Sequence, residues 1–316
     1  MKKNSRWFSR FQLLWVSFAG ALLVAPAMTW AIDITECNQF IPAREVGVLQ
    51  ADLDCDLAPG AKRCILEPEV ECATDDDCTN GRCVVLDSAV ILGGNARLRM
   101  NGHTIHGGTH GIQCLSKTAL HPRANGQCII QGPGEIVDPQ SVGIHHDSRR
   151  LIVEDVIVSG GTYAGIFSPS AARRVDLTNV TVRGGGFGVG NFWQLRATNL
   201  TVSDTEECGI CVGNTRGTNI TLDNNMVGMR GGARVDGLVA TNNRGPAVEG
   251  LFLGVRLKNA TLSNNDTLGE GIDIFSQRRP GLTNTTCSRS ERLVCEPPIS
   301  SSCTPTGESW GVCSLD

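Results

Sequence analysis

The sequence contains only one long apolar run, and that run lies at the N-terminus. It spans Phe11 to Val24 and follows four basic residues with no acidic one. A basic segment before a short apolar run is typical of a secretory signal peptide, and the run is too short for a comfortable membrane span. We therefore expect a signal peptide over residues 1–31, cleaved after Ala31 or Ala27. We also expect no membrane span in the mature chain and a secreted protein, periplasmic or extracellular.

Basic residues are outnumbered by acidic ones, and methionine is scarce. The full chain has a formal charge of -4, and loss of the basic signal peptide makes the mature chain more acidic still. A net negative surface argues against nucleic-acid binding and, less strongly, against polyanionic glycans. Of the five methionines, two belong to the signal peptide, which leaves little support for a copper-handling protein.

One short strand pattern recurs between about residues 98 and 282 at a spacing near twenty residues. The units read LRMNGHTI, LIVEDVIV, VDLTNVTV, LRATNLTV, TRGTNITL, ARVDGLVA and VRLKNATL. In each, alternating apolar residues flank a polar corner, so two short strands turn one face inward. A single small coil cannot bury that face, but coils stacked about 4.8 Å apart can, which predicts a solenoid. The hairpin turns that a β-propeller would need are missing.

The corner between the two strands is occupied by Gly, Asp or Asn in every unit. These residue types tolerate a positive φ, so we expect a left-handed residue at each bend and hydrogen bonds between stacked Asn amides. The corner residues are Gly102, Asp155, Asn179, Asn199, Asn219, Gly237 and Asn259.

A second ladder, of glycine followed by an apolar residue, predicts a third strand in each coil, with the apolar residue inward. We count about eight coils over residues 88–282. The pairs are Gly111-Ile112, Gly143-Ile144, Gly165-Ile166, Gly188-Val189, Gly209-Ile210, Gly228-Met229 and Gly271-Ile272, with Ala247-Val248 in the remaining coil.

These ladders, with the NGHTI coil and the GPG coil at residues 132–134, resemble the right-handed parallel β-helix repeat proteins of the pectin-lyase-like superfamily. The resemblance implies an all-β fold, a right-handed parallel β-helix with disulfide-rich caps. It also implies a substrate groove on the outer face of the Gly-apolar strands. It does not define an activity, because this architecture serves lyases, hydrolases, epimerases and non-catalytic proteins. The catalytic patterns of those enzymes are mostly missing.

All 14 cysteines follow the signal peptide and fall into even groups of six, two, two and four. An oxidising compartment makes disulfides the expected state, and we expect them to staple caps over residues 32–87 and 283–316. A single CxxC, Cys208 to Cys211, indicates no zinc site. Residues three apart on a strand face opposite sides, so a bond within this pair stays open. The disulfide candidates are Cys72, Cys78, Cys83, Cys114, Cys128, Cys287, Cys295, Cys303 and Cys313.

The six histidines all lie within the first coils. His103 occupies a position that is apolar in other units, so we expect it to point inward. His145 should face solvent beside His146 and Asp147, and an imidazole oriented by a carboxylate suits acid–base catalysis. His145 and Asp147 are therefore candidate catalytic residues, with a solvated turn as the alternative. The full set is His103, His106, His110, His121, His145 and His146.

A charged row is expected where one residue follows each inward apolar position. Arg230, Glu249 and Asp273 would occupy this row on three successive coils and project from one sheet. Carboxylates on adjacent coils would begin about 4.8 Å apart, near the separation in retaining glycosidases. We treat the three as candidate catalytic residues, and a surface ladder of opposite charges as the alternative.

Aromatic residues cluster on neighbouring coils of the same region, and flat rings there could stack on sugars. Phe167, Phe192 and Trp193 are the candidate substrate-binding residues, near Tyr163 and Phe187. Inward core packing is the alternative for about half of these rings.

These observations predict a secreted β-helix protein that binds a polysaccharide or cell-surface glycan through the outer groove. Enzyme status stays open. An active protein would be a polysaccharide lyase, glycoside hydrolase or epimerase, and Ca²⁺ is the cofactor implied for a lyase; no other cofactor or metal is indicated. The main alternative is a non-catalytic surface or envelope scaffold or adhesion protein, and periplasmic copper handling is a weaker one. We expect no nucleic-acid partner, and the sequence predicts no oligomeric state.

Overall fold

Alternating apolar and polar residues fold the chain into a parallel β-helix of about eight coils. The computed structural model describes residues 31–55, 62–64, 67–78, 83–85, 88–115, 126–251, 254–295 and 303–316. The one helical element there is a short 3-10 turn, Asp75–Asp77. Nowhere in these ranges is a helix long and apolar enough to cross a membrane. Residues 1–30 of the predicted signal peptide lie outside the described part.

The described strands vary from three to twenty residues because the longest continue around the corners of a coil. They are β1 (Ile32–Ile34), β2 (Gln39–Ile41), β3 (Val46–Leu49), β4 (Leu53–Cys55), β5 (Lys62–Cys64), β6 (Glu67–Glu71), β7 (Cys83–Val85), β8 (Ser88–Leu92), β9 (Arg97–Arg99), β10 (Thr104–Gly107), β11 (His110–Cys114), β12 (Gln127–Val137), β13 (Val142–His146), β14 (Arg150–Ser159), β15 (Ala164–Arg183), β16 (Phe187–Ser203), β17 (Cys208–Asp223), β18 (Met229–Thr241), β19 (Val248–Gly250), β20 (Val255–Ser263), β21 (Ile274–Ser276), β22 (Gly281–Thr286), β23 (Ser290–Cys295) and β24 (Cys303–Ser309).

Three parallel sheets run along the stack. Sheet 1 holds the Gly-apolar segments, in which Ile144, Ile166 and Val189 are successive register partners. Sheet 2, which contains Leu177, precedes the corner, and sheet 3, which contains Val182, follows it. The inward apolar side chains of all three sheets form one continuous buried cluster. This arrangement confirms the predicted all-β solenoid, because each coil buries its apolar face only against its neighbours.

The corner ladder has the predicted geometry. Every predicted corner residue has a positive φ, between 49° and 84°. The side-chain amide of Asn179 donates to Asp155 Oδ1 at 2.8 Å. Asn199 and Asn219 each donate to the Asn of the preceding coil, at 2.8 and 3.0 Å. The residue type at the bend therefore serves both the turn and the contact between coils.

A second, buried amide ladder lies inside the stack. Asn225, Asn243 and Asn265 are almost completely excluded from solvent. The backbone N–H and Nδ2 of Asn225 donate to Asn243 Oδ1, and Nδ2 of Asn243 donates to Asn265 Oδ1 at 2.7 Å. Thr205 ends the ladder on one side and Asp273 on the other. The NN doublets at 224–225, 242–243 and 264–265 are the sequence signal for this feature, which the corner pattern alone does not predict.

The parallel stack is longer at both ends than the predicted 88–282. Within the predicted N-terminal cap, β2, β3 and β4 pair in parallel with β8, β9 and β10, and only β5–β7 form a separate antiparallel sheet. Ile34, Ile41, Leu49 and Leu53 are buried in the common core. At the other end β22 and β23 continue the parallel pairing, and β24 then runs antiparallel to β23. Short strands with one or two inward residues extend the core without showing a full repeat.

Six disulfides join described cysteines, and they indicate a non-cytoplasmic, oxidising compartment. Cys208 and Cys211 are bonded along one strand, which settles the pair that the sequence left open. Cys303 is also disulfide-bonded, whereas the side chain of Cys295 lies outside the described part. The six bonds are Cys37–Cys55, Cys64–Cys78, Cys72–Cys83, Cys114–Cys128, Cys208–Cys211 and Cys287–Cys313.

Candidate functional site

The outer face of sheet 1 carries the row of residues that follow the inward apolar positions. Register pairing links these residues coil by coil, and it places Arg230 beside Glu249 as the sequence predicted. The eighth member is Phe275, the register partner of Glu249. In chain order the row is Gln113, His145, Phe167, Gly190, Cys211, Arg230, Glu249 and Phe275.

Asp273 does not belong to this row, which corrects its predicted placement. Ile274, not Ile272, pairs with the inward Val248, so the register of this coil is shifted by two residues. The Asp273 side chain is 1% exposed and points to the buried amide ladder. It accepts Nδ2 of Asn265 at 2.8 Å and the backbone N–H of Ser288 at 2.5 Å. This carboxylate therefore ends the ladder of buried amides and does not face the outer groove.

Arg230 and Glu249 lie side by side on adjacent coils and form an ion pair. Arg230 Nε donates to Glu249 Oε2 at 2.6 Å, and the two side chains are 45% and 19% exposed. Arg230 and Glu249 are adjacent as predicted, but the guanidinium and the carboxylate are already paired with each other. A substrate carboxylate would have to displace Glu249 to reach the guanidinium.

Two stacked imidazoles lie near the N-terminal end of the row. The rings of His110 and His145 lie 4.5 Å apart and are nearly parallel, at 6°. Both Nδ1 atoms are buried without a hydrogen-bond partner in the described structure. Burial, with repulsion from His145, lowers the pKa of His110 to about 4, and burial also lowers the pKa of His145 although the charge of Asp147 opposes this. At neutral pH both imidazoles are therefore uncharged flat rings.

His146 and Asp147 lie in different environments from His145. His146 is completely buried, packs against Phe192 at 6.1 Å, and has Ser148 Oγ at 3.2 Å from Nε2. Burial, with the neighbouring His145, lowers its pKa to about 3. Asp147 is exposed. The HHD run therefore places one imidazole on the outer face, one in the core and one carboxylate in solvent.

Three aromatic rings continue the surface from the stacked histidines. Tyr163 contacts Phe167 at 4.9 Å and Phe187 at 5.7 Å, both edge to face. Phe167 is the register partner of His145, so the rings follow one another along the stack. We call His110, His145, Tyr163, Phe167 and Phe187 the ring patch. All five are partly exposed, and Tyr163 most of all at 44%.

The other two predicted stacking residues lie apart from the ring patch. Phe192 is 2% exposed and belongs to the core, because the strand shifts register between Gly190 and Phe192 and Asn191 has a φ of 62°. After this bend, the residues that would have faced outward face inward, and the reverse. Trp193 is 69% exposed and has no ring contact among the described residues.

The remaining histidines do not join the ring patch. His103 is partly exposed and lies 3.3 Å from Asp52, which corrects the expectation that it points into the core, where Met100 is fully buried instead. His106 lies between Asp54 and Asp138, at 3.4 and 3.7 Å. His121 lies outside the described residues.

Within the described ranges, Cys64, Cys72 and Cys78 form the one group spaced to hold a metal ion, and each sulfur is committed to a disulfide. No protein-family model, curated protein or solved structure matches the chain. The chemistry of this face thus has to be inferred from its own residues. It offers a strip of neutral rings, then the Cys208–Cys211 disulfide, then a closed ion pair.

Proposed function

We propose that this is a secreted β-helix protein that binds a polysaccharide along the outer face of sheet 1. The observation that carries the proposal is the ring patch, in which partly exposed rings follow one another across neighbouring coils. Flat rings suit the apolar faces of sugars, and a ring beside a polar tip, as in Tyr163, can add a hydrogen bond. Coils stacked about 4.8 Å apart offer a repeating surface to a repeating polymer.

Binding without catalysis is the form that the geometry favours. The guanidinium of Arg230 is already paired with Glu249 at 2.6 Å, and Asp273 is buried away from the groove. His145 is the remaining candidate base on this face, but burial lowers its pKa, which makes it a weaker base, and its Nδ1 is buried against the stacked ring of His110. A scaffold or adhesion protein that contacts other proteins is the second candidate, because the same partly exposed rings could anchor a protein interface.

To test this proposal, the mature disulfide-bonded protein is incubated with a panel of neutral and acidic polysaccharides. Binding is measured by pull-down, and cleavage is measured as new reducing ends or unsaturated products. Product assays would include Ca²⁺ in case of lyase activity. We expect retention of at least one glycan. Tyr163→Ala should weaken it up to about tenfold, since one stacking contact contributes about 0.5–1.5 kcal/mol.

Val239→Ala is the matched control, because Val239 is exposed to a similar extent, 43%, on sheet 3. Trp193→Ala tests whether the isolated ring adds to binding. If a product appears, His145→Ala and Arg230→Ala should be compared at equal folded concentration. Unchanged glycan binding by Tyr163→Ala, or no binding to any polysaccharide, would refute the proposal.

A further inference from the structure

The outer face of sheet 2 carries a straight row of arginines. Arg196, Arg216, Arg234 and Arg256 are successive register partners on four adjacent coils. Parallel coils place such partners about 4.8 Å apart at the backbone. All four side chains are exposed. We call these residues the arginine row.

The four guanidinium groups have no ion-pair or hydrogen-bond partner in the part of the chain that the structure describes. The acids around them are engaged elsewhere. Asp176 binds Arg150 and Arg174, at 2.5 and 2.7 Å. Asp236 binds Lys258 at 3.0 Å. The row therefore keeps its full positive charge although the chain as a whole is negative.

Such a row is unfavourable for the fold itself. Like charges directly opposite one another on neighbouring strands destabilise a sheet. Strand formation does not require arginine here, because the neighbouring outward row on the same sheet carries Thr178, Thr198 and Thr218. An anion bound along the row would turn this repulsion into attraction.

The surface around the row is concave. A cavity of about 670 Å³ is lined by Arg216, Arg234 and Arg256, and by Lys258 with its ion-pair partner Asp236. A second, of about 530 Å³, is lined by Arg196 and Arg216, by Arg150 and Arg174 with their partner Asp176, and by Glu154, which accepts a hydrogen bond from Gln131. The two meet at Arg216, so the arginine row forms the floor of one shallow trough along the stack.

The lining distinguishes among possible anions. None of the described residues that line the two cavities is aromatic, and single-stranded nucleic acids use aromatic rings as stacking platforms. The exposed large apolar residues of the described chain lie outside the trough, so nothing there would enter a lipid surface. Guanidinium groups bind carboxylates and sulfates through paired hydrogen bonds. A regular row of them suits an extended polymer that carries one such group at each repeat.

We propose that the arginine row binds a linear acidic polysaccharide that lies along the stack axis, with acid groups on successive coils. This site is on a different sheet from the ring patch and does not depend on it. The negative net charge of the chain disfavours polyanionic glycans only on average, because the positive charges are concentrated in this row.

Binding of the mature protein to polygalacturonate and to a sulfated glycan, at several salt concentrations, tests the proposal. An uncharged glucan, single-stranded DNA and phosphatidylserine vesicles serve as comparison ligands. We expect the acidic polysaccharides to bind. Their affinity should fall steeply as the salt concentration rises, because several ion pairs form together. Arg234→Gln should weaken binding about threefold at low salt, and Arg216→Gln with Arg234→Gln about tenfold.

Arg183→Gln is the matched control, because Arg183 is exposed and has no ion pair with any described residue but lies on sheet 3. Tyr163→Ala should leave acidic-polysaccharide binding unchanged, which separates this site from the ring patch. Melting temperatures of the glutamine variants should equal or exceed that of the unaltered protein, so a folding defect would be recognised. Equal losses for Arg183→Gln and Arg234→Gln, no acidic-polysaccharide binding, or tighter binding to DNA or vesicles would overturn the proposal.

Discussion

Replacing Asn243 by alanine removes the centre of the buried amide ladder. Its Oδ1 accepts the backbone N–H and Nδ2 of Asn225, at 3.0 and 3.1 Å. Its Nδ2 donates to Asn265 Oδ1 and to Leu222 O, at 2.7 and 3.4 Å. In the variant the Asn225 side chain still reaches Val202 O, and Asn265 Oδ1 still accepts the backbone N–H of residue 243. The backbone N–H of Asn225 loses its acceptor, and Leu222 O loses one donor.

These contacts set the expected size of the effect. A buried donor without a partner costs about 1–3 kcal/mol, and each further lost hydrogen bond about 0.5–1.5 kcal/mol. We expect Asn243→Ala to lower the free energy of unfolding by about 3–5 kcal/mol. Urea unfolding of the disulfide-bonded mature protein, followed by circular dichroism, would measure it.

The adjacent Asn242 provides the control. It is exposed, has a φ of 55°, and donates one hydrogen bond to Asp223 at 3.0 Å. Asn242→Gly keeps that conformation accessible and should cost about 1 kcal/mol or less. If Asn243→Ala were no more destabilising than Asn242→Gly, the buried ladder would not stabilise the stack as reasoned here.

Three further predictions concern the corner, the buried histidine and the disulfides. Asn199→Val should destabilise the fold by about 1–3 kcal/mol more than Thr198→Val, because Asn199 has a φ of 55°; equal melting temperatures would contradict this. The lowered pKa of His146 means that the unfolded chain binds more protons below about pH 6.5. Stability should therefore fall between about pH 6.5 and 3, and His146→Leu should show a shallower fall in acid unfolding; an identical pH profile would exclude this cause. Thiol titration of the denatured mature protein should find at most two free thiols, and more would contradict the disulfide-capped stack.

The sequence predicted local structural features better than features that depend on distant residues. The corner was predictable because a positive φ restricts the residue type directly, as at Asn179 and Asn219. The outer row was predictable as far as Glu249, because on a regular strand the residue after an inward one faces outward. Counting failed at Asp273, where the register moves by two residues. Phe192 follows the inward alternative that the sequence left open, because a bend at Asn191 reverses the faces.

Features that depend on several coils at once were hidden from a reading along the chain. The stacking of His110 on His145 joins β11 to β13, and neither residue alone indicates it. The arginine row became visible only through register, since its members are separated by 18 to 22 residues. Net charge concealed it further.

The reversed last strand has a consequence for growth beyond one molecule. The open end of a parallel stack presents unpaired backbone groups on which a second copy could continue. Here β24 covers β23 of sheet 1 in the antiparallel sense and sets Pro305, which lacks an N–H, opposite Leu293. A copy that docked there would meet a strand of the wrong direction and an interrupted hydrogen-bond pattern. End-to-end fibre formation through this edge is therefore disfavoured, although the same coil geometry could propagate without limit.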